Sequence, residues 1–148
     1  MIKEIDNKMD YAKLLCESDP NINLVRDYLE HGKLYGYFVA NEPVSFLALE
    51  INDGCVEIKN LLTILEYRNL GYAKALIKYV EENYATYPAI LIGTANSSLE
   101  NITFYTRLGY KYSHRIKNFF LDYYPKEIFE NEMQATDLIY FKKELNYS

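Results

Sequence analysis

The chain has 148 residues, enough for one domain with a proper hydrophobic core and too few for two ordinary ones. Hydrophobic residues at 49% and charged residues at 25% exclude a disordered chain, and a formal net charge of -5 excludes a nucleic-acid partner held by phosphate attraction. No apolar run is long enough to span a bilayer and the start lacks the apolar core of a signal peptide, so we expect a soluble, unprocessed protein with no membrane partner.

In chain order, residues 2–6 read as a first strand, and 11–16 and 21–31 as helices, the second with Leu24, Val25, Tyr28 and Leu29 on one face. Two β-rich runs follow, split by Asn41, Glu42 and Pro43 and ended by Asn52, Asp53 and Gly54; with a third run over 55–64 they predict three antiparallel strands joined by hairpin turns. The period changes at 70–83, where Ala73, Leu76, Ile77 and Val80 form one helical stripe. "AILIG", 89–93, is a short apolar run of the kind buried on both faces, and a helical crossover would lay it parallel to 55–64. Ser97 and Glu100 have the spacing of a capping box for a helix ending near Gly109, and 110–117 and 137–144 read as closing strands. Between them, 119–136 is aromatic and acidic without a clean period, and is expected as a long loop with at most a short helical turn.

Cys16 and Cys55 lie far apart, without Cys-x-x-Cys or Cys/His spacing, which fits a reduced, cytoplasmic setting and neither a disulfide framework nor a zinc site. His31 and His114 have no partner at metal or triad spacing and no G-x-S-x-G occurs, so no metal is expected and hydrolase chemistry is disfavoured.

The informative stretch is "EYRNLGYAKALIKYVEE", where a helix opens on bare Gly71 although glycine weakens a first turn by roughly 1 kcal/mol relative to alanine. A glycine between a strand and a helix lets backbone N–H groups approach an anion, and the helix N-terminus adds partial positive charge. The nucleotide patterns GxGxxG and GxxxxGK[ST] are both absent.

The stretch Arg68, Asn69, Leu70, Gly71, Tyr72, Ala73 resembles the acetyl-CoA signature of the GNAT superfamily of N-acetyltransferases, Arg/Gln-x-x-Gly-x-Gly/Ala after a strand and opening a helix. Downstream, "NSSLENITFYTRLGYKY" is similar to the family's Asn-containing helix ending in Tyr-x-x-x-Gly-Phe, with Tyr110 in place of that Phe. The resemblance implies a single α/β domain over 1–148: a mixed, strongly bent sheet flanked by helices, with a splayed parallel strand pair in the middle. It implies direct acetyl transfer from acetyl-CoA to a primary amine.

By the same resemblance the amides from Asn69 through Lys74, with Arg68, hold the pyrophosphate, and the main chain at Leu62, Thr63 and Ile64 pairs with the pantetheine arm as another strand would. Tyr105 is implied as the acid that protonates departing CoA thiolate; flanked by Phe104 and Leu108, it reads equally as a core tyrosine. Asn101, one turn earlier, reads as a cofactor contact or a solvated helix residue, and Asn96 as a cofactor contact or a turn former. Glu57 resembles the general-base glutamate of the histone-acetylating branch, and also reads as a surface carboxylate beside Lys59. A partial echo, "NFFLDYYP", is similar to the branch acetylating ribosomal-protein amino termini, but that branch's strand glutamate is Leu91 or Gly93 here. Two rivals stand beside the transferase: an acyl-CoA-binding or sensor module without catalysis, and a transferase for longer acyl chains. In 119–136, the rings Phe119, Phe120, Tyr123, Tyr124 and Phe129 accompany Asp122, Glu127, Glu130 and Glu132; we expect it over the acceptor side, selecting a cationic amine, with a homodimer contact as a second role, and it also reads as a loop packed on its own sheet.

Overall fold

The structure, a computed structural model, describes residues 1–145. Strand β1 (Ile2–Glu4) leads through a 3-10 turn at Lys8–Tyr11 into α1 (Ala12–Leu15) and α2 (Ile22–His31). The Asn21 side chain accepts from the amides of Asn23 and Leu24, which caps α2. Strands β2 (Lys33–Val39), β3 (Glu42–Asn52) and β4 (Cys55–Thr63) form an antiparallel meander. Next come α3 (Tyr72–Asn83), β5 (Ala89–Ala95), α4 (Leu99–Arg107), β6 (Lys111–Ile116), α5 (Phe119–Tyr123), a small hairpin of β7 (Phe129–Glu130) and β8 (Met133–Gln134), and β9 (Leu138–Glu144).

The main sheet has seven strands in the order β1-β2-β3-β4-β5-β9-β6, antiparallel throughout except for the parallel β4-β5 pair. Each face carries a core. Leu76, Ile77 and Val80 of α3 and Tyr105 of α4 pack with Val56, Ile58, Ile90 and Ile92 on one face. On the other, Leu15 of α1 and Val25, Tyr28 and Leu29 of α2 pack with Phe46, Ala48 and Leu62.

One irregularity decides which β4 side chains face which helices. Ala48 pairs with Asn60 but Leu49 pairs with Ile58, so Lys59 is an extra residue in β4. Such a bulge reverses the alternation of faces. Ile58 therefore faces α3, while Asn60 and Leu62, at the same parity, face α1 and α2 together with Glu57.

Three expectations need correction. The first hairpin turn is made by Ala40 and Asn41, both at positive φ, and Glu42 and Pro43 already belong to β3. No capping box forms at Ser97 and Glu100: Ser98 is the N-cap residue, its hydroxyl donates to Glu130 Oε1 at 2.6 Å, and the Ser97 hydroxyl is buried with no partner among the described residues. Donation to that carboxylate is charge-assisted and fixes the hydroxyl toward β7, whereas a cap needs its oxygen to accept from a backbone N–H, and no such bond forms. The segment 119–136 has the short helical turn expected, as α5, but it also carries the β7-β8 hairpin, turned at Asn131 and Glu132 with positive φ, where a loop was expected. Strands of two residues are too short for a period-2 pattern to show.

Candidate active site

Pairing between β4 and β5 covers only Val56↔Ile90, Glu57↔Leu91 and Ile58↔Ile92. Beyond it, β4 runs on to Thr63 and β5 to Ala95 without bonding each other, which opens the expected splay. The Ile64 amide donates to the Val44 carbonyl at 2.9 Å, on the β3 side. Since backbone direction alternates along a strand, the polar groups of Leu62 also face β3, and those of Leu61 and Thr63 face the opening. Arg68 Nε donates to the Thr63 carbonyl at 2.9 Å, tying the turn to this edge and leaving the outer guanidinium nitrogens exposed.

The turn into α3 has Asn69 at φ 63° and Gly71 at φ 90°, both left-handed. A Cβ on Gly71 would meet nothing within 4 Å. The glycine thus serves a backbone conformation with open space in front of it, rather than a tight protein contact. Ala75 donates to the Gly71 carbonyl and begins the helix, so the amides of Tyr72, Ala73 and Lys74 have no intrahelical acceptor. The Tyr72 ring lies 4.5 Å from that of Tyr37 and 6.2 Å from that of Tyr67, which fixes the first turn against β2. Lys74 and Leu70 are exposed. These amides, at a helix N-terminus before open space, fit an anionic pyrophosphate.

Tyr105 is buried on α4 against Phe104 and Phe141, with ring centroids at 5.8 Å and 6.4 Å. Burial pushes its phenol above the usual range, and among the described residues the hydroxyl has no hydrogen-bond partner. One turn before it, Asn101 Nδ2 donates to Thr94 Oγ1 at 3.2 Å, on the splayed end of β5. Asn96 is committed elsewhere: its Oδ1 accepts from the amides of Thr136 and Asp137, and its Nδ2 donates to the Gln134 carbonyl. Asn131 Nδ2 adds a bond to the Ser97 carbonyl at 2.8 Å, so the β5-α4 turn grips the end of the aromatic segment.

On the opposite face Glu57 is buried, accepting from Lys59 Nζ at 2.7 Å, the Tyr140 phenol at 2.9 Å and Asn52 Nδ2 at 3.2 Å. Burial alone would raise its pKa; the bond and charge of Lys59, with Tyr140 and Asn52, outweigh burial and hold the carboxyl below its ordinary range. Tyr140 stacks on His114 at 4.7 Å, and a side chain on Gly93 would press on the Tyr140 ring at 3.1 Å. Glycine at that position leaves room for the phenol that reaches Glu57.

A second polar chain on this face was not read from the sequence. Asn60 Nδ2 donates to the Leu15 carbonyl at 3.0 Å and to the Tyr28 phenol oxygen at 2.9 Å, and Ser18 donates to Asn60 Oδ1. The Tyr28 hydroxyl donates to Asp19 Oδ2 at 3.1 Å, and that of Tyr124 to Asp19 Oδ1 at 2.6 Å. Asn21 Nδ2 donates to the Tyr123 carbonyl. The segment after β6 is therefore tied to the α1-α2 connection at one end and the β5-α4 turn at the other, and it bridges the splay. A lone amide in the apolar run "KNLLTI" was the available signal for Asn60; nothing local marks Asp19.

Asp122 and Glu127 are exposed, and Glu127 lines a cavity of about 150 Å³ with Phe120, Leu121, Tyr124 and Ala135. Cys16 and Cys55 are free thiols. Among the described residues no group of acidic, histidine and cysteine side chains has metal-site geometry, and no helix is long and apolar enough to cross a membrane.

The family model for an acetyltransferase (GNAT) domain matches residues 17–139. An uncharacterized N-acetyltransferase of Bacillus subtilis (strain 168), YvbK, is 31% identical over 129 residues, 85% of this chain and 83% of that protein. A GNAT family acetyltransferase from Elizabethkingia anophelis, solved with acetyl-CoA bound, superposes with a TM-score of 0.89 at 32% identity, covering 98% of this chain and 97% of that one. A Bacillus subtilis acetyltransferase in complex with CoA gives 0.90 at 28% identity, covering 98% of each chain.

Proposed function

The chain belongs to the GNAT family of acetyltransferases, and from that premise we propose that it binds acetyl-CoA in the splay between β4 and β5 and transfers the acetyl group directly to a primary amine. The observation carrying this reading is the conjunction at one place of an unpaired β4 edge past Ile58 and a left-handed Gly71 with open space before the free amides of α3. Acetyl-CoA supplies an activated thioester carbonyl. The amides from Asn69 to Lys74 and the Arg68 guanidinium hold its phosphates, and the outward groups of Leu61 and Thr63 hold its amide-bearing arm. Leu62 and Ile64 shape that edge from the β3 side, and Asn101 and Asn96 brace the opposite lip.

In the transfer the amine nitrogen bonds to the carbonyl carbon, the C–S bond breaks, the sulfur gains a proton and the nitrogen loses one. Tyr105 is the proton donor in this reading. Its phenol is neutral throughout the working range; it hydrogen-bonds to the sulfur as charge develops there and gives its proton as the C–S bond breaks, regaining one from solvent, since a lasting phenolate among Phe104 and Phe141 is costly. Glu57 is the base of this proposal. Its low pKa keeps it ionised and makes it a weak acceptor, suited to relaying a proton through Tyr140 or water rather than storing it.

Calorimetric titration with acetyl-CoA and CoA, combined with release of free thiol in the presence of a panel of amines, tests the proposal. Binding at one site per chain and amine-dependent thiol release are expected. Binding without release for every amine and acyl donor overturns transfer and leaves a sensor; release only with longer acyl donors replaces acetyl by a longer chain.

A further inference from the structure

Asp19 stands out among the carboxylates for what surrounds it. It is half-buried, and both oxygens accept from phenols, Tyr28 and Tyr124, so its partners are neutral. Among the described residues no Lys, Arg or His forms an ion pair with it. The cation acting on it electrostatically is Lys59, whose ammonium is held at 2.7 Å by Glu57. The one ammonium acting on Asp19 is thus already bound to another carboxylate of this face. Burial penalises the charge, and Asp19 is pushed above the ordinary carboxylate range although its two phenols, the Asn21 backbone amide and the charge of Lys59 oppose that shift. The Asn21 backbone amide also acts on this carboxyl, and a carboxylate with about four lone-pair sites still has capacity for a further donor.

Its position is equally specific. Through Tyr28 it is joined to Asn60, two residues beyond Ile58, the last β4 residue paired with β5. Through Tyr124 it is joined to the bridge, and Tyr124 also lines the cavity of about 150 Å³ with Phe120 and Leu121. A carboxylate with no ion pair, a cavity in which the Phe120 and Tyr124 rings stand beside Lys126 and Glu127, and the mouth of the splay are therefore linked through Tyr28 and Tyr124.

We propose that Asp19 is a specificity-determining receptor for a second, protonated nitrogen of a diamine acceptor, whose methylene spacer lies against Phe120 and Tyr124 while its other, neutral nitrogen reaches the splay. This rests on the transferase reading above. A protonated nitrogen at Asp19 supplies the ion pair that this carboxylate lacks among the described residues, and a spacer separates it from the nitrogen that must be neutral to react.

The test compares 1,4-diaminobutane with butylamine under saturating acetyl-CoA, following thiol release. Wild-type protein should favour the diamine in kcat/KM, and Asp19→Asn should reduce the ratio of the two roughly 10- to 100-fold, the worth of one charge-assisted hydrogen bond, while KM for acetyl-CoA stays put. Tyr124→Phe removes the phenol tie but keeps the carboxylate, and should retain the preference; a structural clasp alone would have both variants act alike on both amines. Should Asp19→Asn fail to fold, inhibition of wild-type protein by N,N,N′,N′-tetramethyl-1,4-diaminobutane, which cannot be acetylated stably, is set against inhibition by its mono-tertiary analogue, and stronger inhibition by the dication is expected. A wild-type enzyme that treats both amines alike, or an Asp19→Asn variant that keeps the preference, overturns the inference and leaves the transferase standing. Release with neither these nor any other amine overturns the transferase reading and this inference with it.

Discussion

The two sides of the splay are made of different materials. On the α3 side the candidate cofactor site is almost all main chain: the amides after Gly71 and the outward polar groups of Leu61 and Thr63, with Arg68 as the main side chain. On the α1-α2 side, side chains from four stretches converge, with Asp19 and Tyr28 meeting Asn60 of β4 and Tyr124 of the bridge, while Tyr140 of β9 reaches Glu57 in a separate cluster. A main-chain site tolerates most side chains but fails where one must be absent. A side-chain network instead fixes which molecule fits, and each member can be exchanged with an effect confined to that choice. Substitutions on the first side should therefore move cofactor constants, and those on the second acceptor constants.

The largest effect is expected at Gly71. Gly71→Val puts a branched side chain into the open space before the free amides and forces a β-branched residue to a φ of 90°. Losing two charge-assisted bonds to phosphate should weaken acetyl-CoA binding about 100-fold or more by calorimetry. The fold survives with a lowered Tm, since position 71 is exposed and outside both cores. Unchanged affinity would break the main-chain account of this side.

Tyr105 lies in the core on the α3 face, but its assigned role is in the transfer itself, so its substitution should split from both. Tyr105→Phe keeps the ring packed on Phe141 and removes only the hydroxyl, so kcat should fall about 10- to 100-fold with little change in either KM. Wild-type turnover would return this tyrosine to the core, the other reading its sequence context allows.

The same contrast explains what was legible in the sequence. Gly71 was readable because a main-chain site needs a missing side chain at a fixed offset from a strand and a helix, and that leaves a local pattern. The splay followed from two apolar runs joined by a helical crossover. Asp19 and Tyr124 become neighbours only through the fold, 105 positions apart in the chain, and "SDPN" reads locally as a turn. The bulge at Lys59 had the largest hidden effect: without it Asn60 would face α3, and nothing in the alternation of 55–64 announces an extra residue. Glu57 was found as a residue, but its ties to Tyr140 and Asn52 come from β9 and the β3 end and were not.

Among acceptor-side groups, the exposed acids of the bridge should matter less than Asp19. Replacing Asp122 and Glu127 together by their amides should raise KM for a cationic amine about 2- to 3-fold and leave KM for acetyl-CoA alone, because exposed charges are screened by water and salt. An effect as large as that of Asp19→Asn would shift the receptor onto the bridge. No effect on any amine would confine selection to the buried network.

The smallest effect separates two carboxylates on this one face, and it is read from stability rather than turnover. Glu57 is held below its ordinary range, so its contribution to stability is present above the unfolded value of about 4.3 and is lost as pH falls through that value toward its folded pKa. Asp19 is held above its ordinary range. Ionised at pH 7, its buried charge counts against the folded state; as pH falls through the raised folded pKa toward the unfolded value of about 3.9, the folded state takes up the proton first and stability rises. The gap in Tm between wild type and Glu57→Gln should therefore narrow in acid, below about pH 4.3, by about 2–4 °C. The gap between wild type and Asp19→Asn should move the other way, wild type gaining on the variant between pH 7 and about 4. The slopes matter more than the offsets, because an asparagine also disturbs the Tyr28 and Tyr124 bonds at every pH. Thermal melts of the three proteins across that range decide it. Parallel slopes would mean that Asp19 is compensated in the folded state as fully as Glu57, and the anion without a counter-ion on this side of the splay would be lost.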